Sequence, residues 1–246
     1  MERADRAPVS TFYAPGAWTE RVELDEDAAH HASVKRMVVG DVVRLTSGDG
    51  RRATGTMLEL GKRRLVISVD ADSLEAQVLP SRVELWAPVG DRERMLLLAE
   101  KAVELGASSW APVIYRRSRS VTPRGEGEPF QQKVRLRQVN ALEQCGGAWL
   151  PTSIAERTLN DALGADANSS GGSRLLLDAD GESLGSIVAT IDSPVRIALG
   201  PEGGLDEAER AQFLRAGWRT ASLGANVLRF ETAGIAALAI IRSHFR

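Results

Sequence analysis

The sequence has few of the residues on which disulfides and metal sites depend. Its 246 residues include one cysteine and three histidines, which excludes an internal disulfide and a cysteine-rich zinc site. The longest uninterrupted apolar run, residues 234–241, is far too short to cross a bilayer. The acidic N-terminal residues lack the apolar core of a secretory signal. We therefore expect a cytoplasmic protein with no membrane or metal partner.

A strong excess of charge of one sign is also absent. The 31 basic and 33 acidic residues give a net charge of −2, which argues mildly against a nucleic-acid partner. The distribution along the chain is uneven, however: residues 30–70 carry a net +4, residues 111–137 a net +5 and residues 138–210 a net −8. The two basic segments are consistent with two contacts to a polyanion, or, more simply, with solvated loops.

Short β-type runs separated by Gly and Asp turns dominate the first eighty residues. These runs are residues 42–45, 53–57 and 65–69. Their spacing predicts a small antiparallel barrel or sandwich. Because Pro80 cannot continue a central strand, we place a domain boundary beside it. The predicted domains are residues 1–78 and 79–246.

After Pro80, predicted strands alternate with predicted helices. The strands are residues 82–89, 110–114, 174–177 and 195–199. The helices are residues 92–105, 207–216 and 232–244, with one more ending near residue 146. The Gly- and Ser-rich residues 164–173 predict a flexible loop. This alternation is typical of the α/β class, with a mostly parallel sheet covered by helices.

A glycine-rich turn follows the predicted strand at residues 195–199. It spans residues 200–204 (GPEGG) and precedes a helix with Asp206 and Glu209 in capping-box spacing. Glycines at the carboxyl end of a parallel strand let the backbone approach a ligand closely. A tight turn that needs positive φ is the structural alternative. The segment matches neither the Walker loop nor the dinucleotide fingerprint.

A second strand-to-helix junction occupies residues 222–233 (SLGANVLRFETA). Arg229 and Glu231 lie at this junction, where polar side chains serve sites or caps. An acid in the first turn of a helix is also favoured by the helix dipole.

Together the two junctions resemble the C-terminal signature of the ribosomal small-subunit uridine N3-methyltransferases, which belong to the SPOUT class. The matching residues are 200–204 and the pattern LGxxVLRxETA at 223–233. Three weaker matches follow the family's order along the chain. They are residues 30–41 (HH, V, R, GD), 104–118 (ELG, P, RS) and 143–151 (EQCG, P).

The resemblance implies an N-terminal PUA-like RNA-binding β-barrel and a C-terminal SPOUT α/β domain with a deep trefoil knot. It also implies a homodimer that uses S-adenosylmethionine to methylate N3 of a uridine in 16S ribosomal RNA. Backbone groups would bind the adenine and ribose while apolar side chains enclose the ring. The cofactor-binding residues carried over from the family are Leu199, Gly200, Gly203, Gly204, Leu223, Gly224, Val227, Leu228 and Thr232.

The chemistry requires the imide proton of uridine N3 to leave. We expect Arg229 to stabilise the resulting anion, and Glu231 to position Arg229 or to take the proton. An ion pair that only braces the fold is the alternative for both residues. The expected RNA-binding residues come from the two basic segments. They are Lys35, Arg36, Arg51, Arg52, Arg116, Arg117 and Arg119.

The sequence departs from the family pattern at positions expected to face RNA or the partner subunit. They are Val89, Lys133, Val134, Asn140, Gly147 and Asn226. The departures leave two alternatives: a knotted methyltransferase with another RNA target such as a ribose 2′-hydroxyl, and a non-catalytic RNA-binding or ribosome-assembly protein. The intact cofactor segments favour an enzyme.

Overall fold

The computed structural model describes residues 10–120, 125–169 and 171–245, without the side chains of Arg119 and Ser120. The chain forms two compact units. Unit 1 comprises Met1–Leu79 and Val139–Leu150, and unit 2 comprises Pro80–Gln138 and Pro151–Arg246. In the described ranges, every helix is too short or too polar to span a bilayer.

Unit 1 is built on a six-stranded, mostly antiparallel sheet. Its elements are β1 (Thr11–Tyr13), β2 (Arg21–Leu24), α1 (Glu26–Val34), β3 (Val42–Thr46), β4 (Arg51–Leu60), β5 (Leu65–Val69) and β6 (Glu75–Ala76). The strand order is β1-β3-β4-β5-β2, with β6 beside β4. Alternate residues such as Leu45, Met57 and Ile67 are fully buried and pack against Phe12. The antiparallel strands predicted from the sequence are confirmed.

The segment Val139–Leu150 groups with unit 1, although it lies far along the chain. Glu143 Oε1 accepts a hydrogen bond from the Tyr13 amide at 2.8 Å. The Thr46 hydroxyl donates to the Gly147 carbonyl at 2.8 Å, and the Gly50 amide donates to the Ala148 carbonyl at 2.9 Å. These bonds join residues about a hundred positions apart, and such pairing leaves no trace in local periodicity.

Unit 2 contains a seven-stranded sheet in which every pair of neighbouring strands is parallel. The elements after unit 1, with α3 crossing into it, are β7 (Val83–Pro88), α2 (Arg92–Glu104), β8 (Ser109–Ile114), α3 (Glu128–Cys145), β9 (Thr152–Ser153), β10 (Arg157–Thr158), α4 (Leu159–Ala167), β11 (Ser173–Ser183), α5 (Leu184–Ile187), β12 (Val195–Ala198), α6 (Glu207–Arg215), β13 (Arg219–Ser222) and α7 (Phe230–His244). The strand order is β10-β8-β7-β12-β11-β13, with β9 beside β8. The predicted parallel α/β class is confirmed.

The predicted loop at residues 164–173 is wrong in its first part, because α4 continues to Ala167. The Thr158 hydroxyl caps this helix by accepting a hydrogen bond from the Asp161 amide. Leu159 and Ala162 are buried on its inner face. Capping and burial therefore outweigh the loop-like composition of the segment.

Close packing of α7 places its first turn beside the loops that follow β7 and β12. Gly234 in α7 has room for no side chain, because a Cβ atom there would lie 2.7 Å from Leu98 of α2 and 2.9 Å from Leu199. Phe230 at the start of α7 lies against Gly90, which follows β7. Residues from three separate strand ends thus meet at one edge of the sheet.

Candidate functional site

A cavity of about 540 Å³ lies beyond the ends of β12 and β13 and along the second half of β11. Its size is within the range of small-molecule and cofactor sites. Seven of the predicted cofactor residues line it: Leu199, Gly200, Gly204, Leu223, Gly224, Val227 and Leu228. The other two, Gly203 and Thr232, lie outside its lining. Two segments that are separate in the sequence therefore share one cavity.

The glycine-rich turn is both a tight turn and a wall of this cavity. The Gly204 amide donates to the Pro201 carbonyl at 2.8 Å, and Gly204 has a φ of +71°, which a side chain would strain. The capping box of α6 is present: Asp206 accepts from the Glu209 amide at 2.7 Å, and Glu209 accepts from the Asp206 amide at 3.2 Å. The tight turn is therefore present, and the same turn lines the cavity, while the approach of a ligand to its backbone stays a prediction.

Two carboxylates share one guanidinium beside the cavity, whose lining includes Arg94 and Glu202 but not Glu231. Arg94 Nη1 lies 2.7 Å from Glu202 Oε1, and Arg94 Nε lies 3.9 Å from Glu231 Oε1. The Glu231 side chain is 8% exposed and that of Glu202 is 16% exposed. In the described structure the Oε2 atom of each carboxylate is buried without a hydrogen-bond partner. The cluster therefore has one carboxylate more than its cation neutralises.

Sequence reasoning missed Arg94 and assigned no role to Glu202. Arg94 lies in the first turn of α2, directly after the carboxyl end of β7, and its amide donates to the capping Asp91 side chain. That position at the end of a parallel strand is a signal of a site residue. The identity of its partners depends on strand order, which the sequence does not reveal.

Arg229 is exposed and lines the cavity at the N-cap position of α7. Across the described ranges it takes part in no ion pair, and Glu231 pairs with Arg94 instead. The sequence alternative of an Arg229–Glu231 brace thus has no support in the contacts. Arg229 is a cation that faces the cavity without a carboxylate beside it.

A second ion pair lies in the cavity wall formed by β11. Arg210 Nε is 2.6 Å from Asp178 Oδ2, and both residues line the cavity with Asp180. Burial works to raise the pKa of Asp178, but hydrogen bonds from Arg210 and the Asp180 amide outweigh it and leave the pKa below its ordinary value. Carboxylates in such a wall can accept hydrogen bonds from ribose hydroxyls or face an ammonium group.

The predicted RNA-binding residues of unit 1 differ in how far they are engaged. Arg51 pairs with Asp49 at 2.8 Å and donates to the Gly16 carbonyl at 3.0 Å. Hydrogen bonds from Arg51 and Ser47 lower the pKa of Asp49 to about 2. Arg52 is half-buried, whereas Lys35 and Arg36 are exposed. Lys35 and Arg36 are thus the more accessible cations of this segment.

The predicted RNA-binding residues of unit 2 lie in a 3-10 turn, Arg116–Ser120. Arg116 and Arg117 are exposed, and the side chain of Arg119 lies outside the described part of the chain. Arg117 Nη1 donates to the Gly203 carbonyl at 2.9 Å, so the turn contacts the glycine-rich segment. In the ranges that the structure describes, no group of His, Cys, Asp and Glu side chains could hold a metal ion.

The mostly antiparallel unit 1, the parallel unit 2 and the cavity beyond its strands define a two-domain α/β protein with a cavity of cofactor size. A family model described as "RNA methyltransferase domain" matches residues 77–242, and one described as "RNA methyltransferase PUA domain" matches residues 24–70. The chain belongs to this family of RNA methyltransferases.

Individual relatives match this chain over most of their own length. The ribosomal RNA small subunit methyltransferase E of Bacillus subtilis is 26% identical over 224 residues, which cover 88% of this chain and 87% of the relative. The protein of the same name from Rickettsia conorii is 27% identical over 240 residues, covering 92% and 91%. The crystal structure of the Neisseria gonorrhoeae methyltransferase of that name, bound to S-adenosylmethionine, superimposes with a TM-score of 0.84 at 26% identity, covering 95% of this chain and 97% of that one.

Proposed function

We propose that the protein transfers a methyl group from S-adenosylmethionine to N3 of a uridine in the RNA of the small ribosomal subunit. The observation that supports this most strongly is the cavity of unit 2, which gathers two separate family segments around one space. The relatives named above are small-subunit methyltransferases, and the Neisseria protein was crystallised with this cofactor.

The residues around the cavity fit this cofactor. Leu199, Leu223 and Leu228 provide apolar walls suited to an adenine ring, and Gly200 and Gly204 expose backbone groups to it. The carboxylates on β11 suit the ribose hydroxyls or the ammonium group of the methionine part. When bound, the cofactor supplies an electrophilic methyl group.

The protein's own residues accept the N3 proton and stabilise the negative charge that remains on the uracil. We assign the proton to the Glu202–Arg94–Glu231 cluster, because one guanidinium cannot neutralise the buried Glu231 and the half-buried Glu202 together, and a proton restores neutrality. Arg229 faces the cavity without an ion-pair partner among the described residues, so it can stabilise the negative charge that spreads over O2 and O4 of the uracil. Glu231 belongs to the proton-accepting group here, with Arg94 and Glu202 holding it in place.

The target uridine must leave its stack to enter such a cavity. Lys35 and Arg36 in unit 1, and Arg116 and Arg117 in unit 2, are exposed cations suited to the RNA backbone. The family resemblance adds a deep trefoil knot, a homodimer and a cytoplasmic location to the proposal. It also assigns RNA binding to residues 1–78 and methyl transfer to residues 79–246.

Methylation of small ribosomal subunits tests the proposal directly. Purified protein, S-adenosylmethionine and subunits that lack the modification are incubated, and the digested nucleosides are identified by mass spectrometry against standards. N3-methyluridine is the expected product. A 2′-O-methylated nucleoside would instead assign the enzyme to another target, and cofactor binding without any methylation would favour the non-catalytic alternative.

A matched pair of variants tests the proton acceptor. Glu231→Gln removes a buried carboxylate in the first turn of α7, whereas Glu207→Gln removes an exposed one in the first turn of α6. We expect Glu231→Gln to lower the methylation rate about 10²-fold or more and to alter its pH profile, since general-base catalysis contributes on this order. Glu207→Gln should leave both unchanged. Equal rates in the two variants would remove Glu231 from the mechanism.

A further inference from the structure

The basic turn Arg116–Ser120 contacts the segment of residues 203–209 at both ends of that segment. Part of this segment lines the cavity. Arg117 Nη1 donates to the Gly203 carbonyl at 2.9 Å. At the other end the Arg116 amide donates to Glu209 Oε1 at 2.8 Å, and Arg116 Nη1 lies 3.0 Å from Asp206 Oδ2. The contacted residues are Gly203, Asp206 and Glu209. Gly203 belongs to the glycine-rich turn, and Asp206 and Glu209 form the cap of α6.

Gly203 and Arg117 approach each other too closely for an intervening side chain. A Cβ atom on Gly203 would lie 3.0 Å from Arg117 Cβ and 3.4 Å from its Cδ. The flanking residues Glu202 and Gly204 both line the cavity. A displacement of the Arg117 side chain therefore acts directly on the peptide between two cavity-lining residues.

The start of the basic turn is held by burial and hydrogen bonds, and its first two arginine side chains are exposed. Tyr115, just before the turn, is buried, and Ser118 within it is 1% exposed. The Tyr115 amide donates to the Ser118 hydroxyl at 3.2 Å, and the Ser118 amide donates to the Tyr115 carbonyl at 3.1 Å. The exposed guanidinium groups are therefore accessible to an anion from solvent.

The side chains of this turn are suited to bind the phosphates of a nucleic-acid backbone. Arg116, Arg117 and Arg119 lie within five residues that contain no acid. A guanidinium presents five N–H donors in one plane, so a single arginine can contact a carbonyl and a phosphate at once. The N–H of Glu209 and then the charge of Arg116 lower the pKa of Asp206, so this acid stays ionised against Arg116.

We propose that Arg117 couples RNA binding to cofactor binding: a phosphate on its guanidinium fixes the side chain and, through the Gly203 carbonyl, holds the cavity wall in the geometry that binds the cofactor. The coupling rests on the proposed function. It makes RNA and cofactor tighten each other's binding by the same factor, as linkage requires. Arg116 contributes to RNA affinity alone, because its partner Asp206 lies outside the cavity lining.

A two-ligand titration tests the coupling. The affinity for S-adenosylhomocysteine, which supports no reaction, is measured by calorimetry with and without a saturating small-subunit RNA hairpin that contains the target uridine. We expect RNA to tighten binding of S-adenosylhomocysteine about tenfold in the unaltered protein, within the usual range of such couplings.

Three variants distinguish the effect of Arg117 on the coupling factor from the effect of positive charge on RNA affinity. Arg116→Ala should weaken RNA binding about three- to tenfold and reduce its salt dependence, with the coupling factor unchanged. Arg117→Lys keeps a cation for phosphate but loses the planar fork, so RNA affinity should stay within about threefold while the coupling factor falls towards one. Arg117→Ala should lose both, and thermal unfolding checks that each variant is folded.

The outcomes are distinct. A coupling factor in Arg117→Lys equal to that of the unaltered protein, or no coupling in the unaltered protein, overturns the proposal and leaves the proposed function intact. Cofactor binding with no RNA binding in the unaltered protein overturns the coupling on this hairpin, and methylation of small ribosomal subunits then decides the proposed function by itself. If Arg117→Ala does not fold, Arg117→Lys still decides the question.

Discussion

Two clusters of charge lie at opposite ends of β7 and β12. At the amino ends of these strands, each charge of a largely buried cluster has an opposite charge within 3.2 Å. At the carboxyl ends, the buried Glu231 and the half-buried Glu202 share one guanidinium. In the first cluster Arg196 lies 2.9 Å from Asp166 and 3.2 Å from Glu84, and Arg174 lies 2.6 Å from Asp166. Its two guanidinium groups thus face two carboxylates, although Asp166 Oδ1 is buried without a hydrogen-bond partner in the described structure.

The carboxyl end differs in its balance of charge. Arg94 is the one cation paired with Glu202 and Glu231 among the described residues, and Arg229 forms no ion pair within the described ranges. A carboxylate in excess and an unpaired cation beside a cavity are groups that a ligand or a reaction can use. The comparison predicts that one end of the sheet maintains the fold and that the other end carries the chemistry.

The largest expected effect is on stability, at the amino ends of the strands. Arg196→Ala removes one of the two cations paired with the buried Asp166 and one of the two paired with the half-buried Glu84, and should lower the free energy of unfolding by about 3 kcal/mol. Arg82 is an exposed partner of Glu84, with its Nη2 atom 3.3 Å from Glu84 Oε1. Arg82→Ala should lower the free energy of unfolding by under about 1 kcal/mol. Urea denaturation measures both, and similar losses in the two variants would contradict the assignment.

The next largest expected effect is on the rate of catalysis, at the carboxyl ends of the strands. Arg229→Ala should lower the rate of methyl transfer about 10²- to 10³-fold, the usual cost of removing one group that stabilises a developing anion. Because Arg229 is exposed, the free energy of unfolding should change by less than about 0.5 kcal/mol. Arg215→Ala, at another exposed arginine of unit 2, is the control. A change in KM alone would assign Arg229 to substrate binding.

A third pair of variants separates backbone strain from cavity function. Gly204 and Gly217 have φ values of +71° and +79°, and a Cβ atom at either position meets no atom closer than 3.8 Å. Alanine should cost about 1–2 kcal/mol of stability at both positions. Only Gly204→Ala, in the cavity wall, should also weaken cofactor binding, by several-fold in calorimetry. Equal cofactor affinity in both variants would show that the turn tolerates the change.

The smallest effect concerns pH. The pKa of Asp178 is lower in the folded protein than its ordinary value, so its pairing with Arg210 stabilises the fold above the ordinary aspartate pKa and is lost as the pH falls through the folded-state pKa. The pair is partly exposed, so we expect under about 1 kcal/mol. Asp178→Asn should remove that part of the acid dependence measured by urea unfolding, while Asp192→Asn, at an exposed position, should retain it.

Much of the cavity wall was visible in the sequence because it is local. The turn at residues 200–204 and the capping pair Asp206 and Glu209 lie within ten positions, and glycine content and helix-cap spacing identify them directly. The carboxylate cluster beside the cavity was only half visible. Glu231 was named, but Arg94, more than a hundred residues earlier in the chain, was not.

The sequence by itself determined most of the longer strands and helices, though not α1 or α4, and the two strand-to-helix junctions at residues 200–204 and 222–233. Periodicity, caps and turns depend on backbone geometry over a few residues. Only the tertiary structure decided which of these segments meet. Strand order brought Arg94 to Glu202 across 108 positions and Arg117 to Gly203 across 86, and long-range hydrogen bonds joined Val139–Leu150 to unit 1. Such contacts depend on how buried faces pack against one another, and no local pattern in the chain records that choice.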